Sequence, residues 1–170
     1  SENFVKSEID QCVFIRQDCI VLVYVDDVIA LSRDGSVLDQ LVTNLKNKGF
    51  DLTDDGTLDK YLGVDINKKT DGSIELSQPY LIERTLRVLG IEGDSKTNSK
   101  PTPASKPLLH KDLEGLPRNN SWNYRQAIGM LTYLQGSTRP DISMAVHQAA
   151  RFCIDPKLSH ERAVKRIGRY

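Results

Sequence analysis

The first third of the chain consists of short apolar runs separated by polar residues, a pattern typical of β-strands. One run covers 12–15, and a β-branched run of seven residues covers 19–25. Asp26 and Asp27 follow, and another apolar run covers 28–31. The pattern predicts a hairpin with a tight Asp-Asp turn. Its first strand is almost continuously apolar and is therefore expected to be buried on both faces.

The 3.6-residue period of an amphipathic helix appears after this hairpin. It predicts a helix over 36–48, with Ser36 as the N-cap and Gly49 just beyond the end. A further helix is predicted over 78–89, with a proline in its first turn and Gly90 after its last. The two helices are separated by a second strand pattern.

This second pattern predicts strands over 60–67 and 73–76 around a turn at 71–72. Gly63 falls inside the first of these strands. A glycine there weakens a strand and often marks the close approach of a ligand, although the signal is weak by itself.

The last part of the chain has a different pattern. Residues 93–121 contain four prolines among Ser, Thr, Asn and Lys, which predicts a connection without packed structure. Asp141 and Ser159 are expected to cap two of the helices that follow. The hydrophobic period of the last predicted helix, over 159–170, continues to Tyr170, so the chain is expected to end inside this helix. Hairpins followed by helices predict the α+β class. The predicted helices cover 122–135, 141–154 and 159–170.

The amino-acid composition limits the classes of protein to which the chain can belong. The 170 residues are 39% hydrophobic and 27% charged, enough to form a core. No apolar run approaches the ~18–20 residues of a membrane span. The three cysteines form no CxxC pair, which favours a reducing compartment and a role as small core residues. The zero net charge divides into −7 for residues 1–77 and +7 for residues 78–170. Such a split indicates either a division between metal and phosphate binding or simply solvated faces.

Asp26 and Asp27 are the strongest candidates for chemistry. Two carboxylates at a hairpin tip repel each other and attract a cation, and hard oxygen ligands favour Mg²⁺. Two metals held in this way activate a 3′-hydroxyl and stabilise a pyrophosphate leaving group. The structural alternative is an ordinary Asp-Asp turn. Five further aspartates are expected to lie on a solvated edge: Asp51, Asp54, Asp55, Asp59 and Asp65.

A row of basic residues on the last predicted helix is the second candidate. Its members are spaced i, i+3, i+4 and i+7, which places them on one face to contact a nucleic-acid backbone or solvent. His147 and His160 lack the spacing of zinc ligands. The chain has neither a phosphate-binding GxxxxGK[ST] loop nor a GxSxG nucleophile elbow. The basic row is Arg162, Lys165, Arg166 and Arg169.

These motifs together resemble the C-terminal part of a copia-type LTR-retrotransposon reverse transcriptase. Tyr24-Val25-Asp26-Asp27 resembles the YxDD hairpin of the polymerase, and Leu62-Gly63 resembles the primer-grip hairpin. Shorter patterns match at Leu76-Ser77-Gln78 and Thr102-Pro103. The most specific match is similar to the family's region before RNase H. It runs through Tyr124-Arg125, Ile128-Gly129, Tyr133-Leu134, Arg139-Pro140-Asp141-Ile142, Phe152, Pro156, His160, Ala163, Lys165-Arg166-Ile167 and Arg169-Tyr170.

The resemblance implies a right-hand polymerase that uses two Mg²⁺ ions, with Mn²⁺ as an alternative. Asp26 would be a metal ligand and Asp27 its more peripheral partner. Tyr24 and Val25 would lie near the primer terminus, and Leu62 and Gly63 would hold the primer strand. The basic helices would follow the duplex backbone by charge rather than by sequence.

The same resemblance divides the chain into parts of the polymerase. Residues 1–77 would be a palm fragment with both hairpins, 78–92 a thumb-like helix, 93–121 a linker, and 122–170 connection helices that lead towards RNase H. The partners would be an RNA or DNA template with primer, deoxynucleoside triphosphates, and the upstream fingers and palm and downstream RNase H segments of the polyprotein. No membrane partner is expected. The location would be intracellular, in a cytoplasmic particle.

The chain also departs from the family pattern. The motif that supplies a third carboxylate lies upstream of residue 1, so the isolated chain is expected to be inactive and its own enzymatic status stays open. Thr53 and Asp55 stand where the family has Lys and an apolar residue. Gly168 replaces a helix-favouring residue, at about 1 kcal/mol in a helix interior. The alternatives are a non-catalytic remnant that binds nucleic acid or a partner, and, less favoured, an unrelated Mg²⁺ phosphodiesterase.

Overall fold

The computed structural model of the chain describes residues 2–93, 99–105 and 108–170. Within these ranges it is a mixed α/β structure with antiparallel sheets. The strands are β1 (Val5–Lys6), β2 (Val13–Arg16), β3 (Cys19–Tyr24), β4 (Asp27–Leu31), β5 (Lys60–Tyr61), β6 (Val64–Lys68) and β7 (Ile74–Ser77). The α-helices are α1 (Gly35–Asn47), α2 (Pro79–Leu89), α3 (Tyr124–Ser137), α4 (Ser143–Ala150) and α5 (Leu158–Gly168).

The chain divides into two compact units. The first ends at Leu58 and the second begins at Asp59. The second hairpin therefore shares its unit with the helices α2 to α5, whereas the sequence predicted one palm fragment over 1–77. The assignment of either unit to a palm or thumb stays a prediction.

The first unit contains a four-stranded sheet in the order β1-β2-β3-β4 and the helix α1. The helix starts one residue before the predicted position, and Asp34 rather than Ser36 is its N-cap. The Asp34 carboxylate accepts hydrogen bonds from the Ser36 hydroxyl at 2.8 Å and from the Ser36 backbone N–H at 2.9 Å, and these hold its pKa below the usual range. Aspartate and serine cap equally well, so the position at which the chain leaves β4 decides between them.

The prediction that β3 is buried on both faces was wrong. Ile20 lies directly opposite Ile15 on one side and Leu31 on the other, so all three side chains share one sheet face. Ile20 is 42% exposed, so this face of the sheet is accessible to solvent. Cys19, on the opposite face, is 2% exposed, and burial raises the pKa of its thiol. Cys19 thus fits the predicted role as a core residue, but Cys12 is exposed and Cys153 half-buried.

The second unit contains the sheet β5-β6-β7 and the largest apolar core. The helical period also predicts apolar stripes along the last helices, and these stripes supply most of this core; of their members, Cys153 only packs against the core and Ala163 is outside it. Gly90 ends α2 in the left-handed conformation, with φ of 64°. The core residues are Leu89, Ile91, Trp122, Tyr124, Ala127, Ile128, Leu131, Leu134, Ile142, Ala145, Val146, Ala149, Val164 and Ile167.

Several predicted helix ends were wrong. The helix predicted over 141–154 is a 3₁₀ turn at 140–142 followed by the short α4. Asp141 does not cap it, because its carboxylate pairs with Arg139 at 2.8 Å. Ser159 lies inside α5, and its hydroxyl donates to Asp112. The last helix ends at Gly168, so the described chain does not stop inside it.

The predicted linker over 93–121 is irregular but packed where the structure describes it. Its residues 94–98 and 106–107 lie outside the described ranges. The Lys100 N–H donates to the Arg169 carbonyl, and the Arg166 guanidinium donates to the Thr102 carbonyl. Arg118 forms a buried ion pair with Glu161 at 3.2 Å and stacks over Trp122. The high proline content removes regular structure here without preventing packing.

Gly168 has a packing reason that the sequence did not reveal. It lies at the end of α5 rather than in a helix interior. A Cβ on Gly168 would lie 2.8 Å from Ile91 Cδ1 and 2.9 Å from Leu89 Cδ1, which belong to the core. A side chain at Gly168 would therefore force the buried Leu89 and Ile91 side chains to shift.

We predict that Gly168→Ala lowers the free energy of unfolding by about 1–3 kcal/mol, because the new methyl group overpacks the core. Gly129→Ala is the matched control: it lies within α3, and a Cβ there meets no atom within 4 Å. It should raise stability by about 0.5–1 kcal/mol through helix propensity. Thermal unfolding followed by circular dichroism measures both, and equal effects of the two substitutions would contradict the packing argument.

Candidate polymerase site

The first candidate site is the tip of the β3–β4 hairpin. Tyr24 lies directly opposite Asp27, so the turn consists of Val25 and Asp26. The predicted Asp-Asp turn was therefore wrong by one residue: Asp26 lies in the turn, and Asp27 begins β4. A two-residue turn matches the twist of antiparallel strands only when its first residue has positive φ.

Val25 takes this strained position. Its φ is 57°, a left-handed conformation that a β-branched residue rarely adopts. The expected strain is about 1–2 kcal/mol. Burial does not offset it, because Val25 is 86% exposed. Tyr24 beside it is also exposed, so the hairpin presents an aromatic ring and an apolar side chain to solvent next to its carboxylates.

The carboxylates of Asp26 and Asp27 are exposed and have no hydrogen bond or ion pair to any described residue. Adjacent hard oxygen donors of this kind fit Mg²⁺, which binds through one or two carboxylates and keeps other positions for water and phosphate. Across residues 2–93, 99–105 and 108–170, no three acidic, histidine or cysteine side chains form a group able to hold a metal.

The second candidate site is the turn between β5 and β6. Tyr61 pairs with Val64, so Leu62 and Gly63 form another two-residue turn. Their φ values are 48° and 76°, and a turn with positive φ at both positions favours glycine. Gly63 thus lies in a turn and not within a strand as predicted. It is exposed, and its N–H donates no hydrogen bond to a described residue.

A tyrosine on α3 contacts this turn. The Tyr133 hydroxyl donates a hydrogen bond to the Leu62 carbonyl, 71 residues away in sequence. Nearby, the Thr138 hydroxyl donates to Gln78 Oε1 at 2.9 Å, and Gln78 is only 1% exposed. Sequence analysis did not single out Tyr133 as a site residue. The only signal was its position in the Tyr133-Leu134 motif, which carries no information about a contact at such separation.

Three of the four members of the predicted basic row are half-buried: Lys165, Arg166 and Arg169. Lys165 pairs with Glu161 at 3.4 Å, and Arg166 is bonded to Thr102. The Arg169 carbonyl accepts a hydrogen bond from Lys100. Arg162 is the member whose side chain is exposed. The i, i+3, i+4 spacing is present, but the packing of α5 turns much of this row towards the protein.

The five other aspartates were predicted to lie on a solvated edge, and four of them are exposed. Asp51, Asp54, Asp55 and Asp59 are exposed, and Asp65 is half-buried. Asp54 accepts a hydrogen bond from the Gly56 N–H, and Asp65 lies 3.6 Å from the Lys60 ammonium group.

In the part of the chain that the structure describes, no helix is long and apolar enough to cross a membrane.

Comparison with known proteins identifies the family. The profile of the family "Reverse transcriptase (RNA-dependent DNA polymerase)" matches residues 1–106. The Pol polyprotein of the tobacco transposon TNT 1-94 is 32% identical over 100% of this chain and 13% of its own length. That of the Arabidopsis transposon RE1 is 33% identical over 99% of the chain and 11% of its length. The putative transposon Ty5-1 protein of Saccharomyces cerevisiae is 29% identical over 88% of the chain and 47% of its length. No solved structure matches.

The chain therefore belongs to the reverse transcriptase family. Within that family it is of the copia type found in retrotransposon Pol polyproteins, as the sequence motifs indicated. It spans only about an eighth of the two plant polyproteins.

We predict that Val25→Asn stabilises the isolated chain by about 1 kcal/mol, because asparagine tolerates positive φ better than valine and little buried surface is lost. Val28→Asn is the control, since Val28 lies within β4 and is 48% exposed. That change should destabilise the chain by up to about 1 kcal/mol through lost β-propensity. Urea unfolding measures both, and a loss of stability in both variants would show that Val25 is not strained.

Proposed function

We propose that this chain carries part of the active site of a retrotransposon reverse transcriptase. Asp26 and Asp27 would be Mg²⁺ ligands, with Asp26 the closer and Asp27 the more peripheral. The observation that carries the proposal is the hairpin tip, where two adjacent carboxylates without partners among the described residues project beside a strained turn. Two adjacent carboxylates without partners offer the hard oxygen ligands that Mg²⁺ prefers.

Bound Mg²⁺ would supply activation of the primer 3′-hydroxyl and stabilisation of the pyrophosphate leaving group. The residues of the chain would bind and orient the nucleic acid. Tyr24 and Val25 offer exposed apolar surface to the primer terminus or the minor groove. Gly63 offers an exposed N–H donor, and a phosphate oxygen of the primer is a suitable acceptor. Its lack of a side chain leaves the backbone open to close approach.

In this proposal residues 1–77 are a palm fragment with both hairpins, 78–92 a thumb-like helix, 93–121 a linker, and 122–170 the connection towards RNase H. The third carboxylate would come from another strand of the polyprotein. The outer edge of β4 is a place for it, because β4 lies at the end of the sheet order and Asp27 is its first residue. The isolated 170 residues would then bind Mg²⁺ weakly and would not extend a primer.

The partners would be an RNA or DNA template with primer, deoxynucleoside triphosphates, and the remaining polymerase and RNase H segments of the polyprotein. Arg162 would contact the duplex backbone, with Lys165, Arg166 and Arg169 contributing through the charge of the helix rather than through free side chains. The site of action would be a cytoplasmic particle.

The second candidate is a non-catalytic remnant that binds nucleic acid or a partner. The observation in its favour is that no three acidic, histidine or cysteine side chains of the described residues form a group able to hold a metal. Under this function Asp26 and Asp27 would be an exposed turn pair with no role in binding a cation.

We predict that Asp26→Asn in the parent polyprotein lowers primer extension by about a hundredfold or more, because the transition state loses a charged group that holds the metal. Asp39→Asn is the matched control, since Asp39 is an exposed carboxylate on α1 of the same unit. Extension of a labelled primer on an RNA template, at saturating Mg²⁺ and nucleotide, measures the effect.

A second readout uses the isolated chain. Mg²⁺ titration followed by NMR should shift the amide signals of residues 24–28, and Asp26→Asn should weaken that response while Asp39→Asn leaves it unchanged. If Asp26→Asn extends primers as fast as the parent, or if the isolated chain extends primers without the rest of the polyprotein, the proposed arrangement is wrong.

A further inference from the structure

Tyr133 lies on α3, a helix whose apolar face is buried in the core of the second unit. Five residues of α3 are buried in the core: Tyr124, Ala127, Ile128, Leu131 and Leu134. The Asn123 side chain caps the start of the helix by accepting a hydrogen bond from the Gln126 N–H. Tyr133 itself is 45% exposed, and its hydroxyl reaches the Leu62 carbonyl. An exposed tyrosine on a rigid helix thus contacts the backbone of a turn.

That carbonyl belongs to the peptide unit between the two turn residues. Two-residue turns differ mainly in the orientation of this central peptide, and each orientation sets different φ values. Two orientations fit a hairpin with positive φ at Leu62: one sets Gly63 at positive φ and the other at negative φ, and glycine accepts both. The observed turn has Leu62 at 48° and Gly63 at 76°, so it takes the first orientation.

The hydrogen bond from Tyr133 selects one orientation. In a trans peptide the C=O and the N–H point in opposite directions. When the Leu62 carbonyl accepts from α3, the Gly63 N–H points away from α3. Gly63 is exposed, so the direction of this donor decides what a ligand on the outer side of the turn meets.

A second hydrogen bond connects the end of α3 with the junction between the same sheet and α2. Thr138, which follows the last residue of α3, donates to Gln78, which follows β7 and precedes α2. The two bonds act at different places: Thr138 holds the junction of sheet and helix, and Tyr133 holds the tip of the turn. Loss of the Tyr133 hydroxyl should therefore change the turn without separating the sheet from the helices.

We propose that Tyr133 is a positioning residue: its hydroxyl fixes the orientation of the Leu62–Gly63 peptide and thereby aims the Gly63 N–H at a phosphate of the primer strand. This inference rests on the proposed function of the Leu62–Gly63 turn in primer binding. It assigns to Tyr133 an indirect role, without contact to nucleic acid.

The first test measures the turn itself in the full 170-residue chain. With the central peptide in the observed orientation, the amide protons of Leu62 and Gly63 lie close together and give a strong nuclear Overhauser effect. Tyr133→Phe should weaken or abolish that signal while the spectrum of the helices is unchanged. Tyr80→Phe is the matched control, because it removes the hydroxyl of a tyrosine that is 68% exposed on α2 of the same unit.

The second test measures primer binding by the same variants. Fluorescence anisotropy with a labelled recessed-end primer–template should show affinity about threefold to tenfold weaker for Tyr133→Phe and unchanged for Tyr80→Phe, the effect expected for one hydrogen bond. Methylphosphonate substitutions along the primer then remove single phosphate charges. The parent chain should lose affinity at one primer position, and Tyr133→Phe should lose less at that position. A merely structural role would leave the position-specific difference unchanged.

The two tests separate failure of the inference from failure of the proposed function. If the amide–amide signal survives in Tyr133→Phe, the hydroxyl does not position the turn and the inference is wrong. If the signal is lost but primer affinity and the methylphosphonate profile match the parent, the positioning has no effect on the primer and the inference is also wrong. If the parent chain itself does not bind primer–template, the proposed function of the turn fails and the aim at a primer phosphate fails with it.

Discussion

Both candidate sites depend on the geometry of a two-residue turn between antiparallel strands. The twist of the strands requires positive φ at the first turn position, and in this chain that position is occupied by Val25 in one hairpin and Leu62 in the other. Neither residue suits the left-handed region, and asparagine or glycine would suit it better. The turn nevertheless keeps the adjacent Asp26 and Gly63 at exposed tips, where a ligand can reach them. Strain at such positions is commonly associated with function.

Ion pairing distinguishes the acidic half of the chain, residues 1–77, from the basic half, residues 78–170, in a way that their net charges do not. In the acidic half, Asp26 and Asp27 have no partner among the described residues. In the basic half, several cations are paired within the chain: Arg118 with Glu161, Arg139 with Asp141, and Lys157 with Asp155. The charge split therefore does not translate directly into a free basic surface. The acidic tip remains the stronger indication of a ligand, because its charge, unlike that of these paired cations, is not compensated by a described residue.

Prediction from sequence succeeded where a pattern is local and repeated. The stripe over Ala127, Ile128, Leu131 and Leu134 was correct because helical period and burial have the same origin. The end of α2 at Gly90 was correct because a left-handed C-cap favours glycine. Prediction failed by small shifts at Asp26, Ser36 and Gly63, since turn registers and caps are decided by competing neighbours with similar propensities. It failed more seriously for Gly168, whose interpretation as a poor helix residue missed the neighbouring Leu89 and Ile91.

The sequence by itself determined the family, the antiparallel hairpins, the main helices and the pair of carboxylates most suited to a metal. These features are encoded in short motifs and periodicities that each segment carries alone. Only the tertiary structure decided that Tyr133 contacts the Leu62 turn, that Arg166 of α5 donates to Thr102, and that a side chain at Gly168 would displace Leu89 and Ile91. The physical reason is that these contacts join residues far apart in sequence, so their formation depends on how the helices pack and not on the propensity of any one segment.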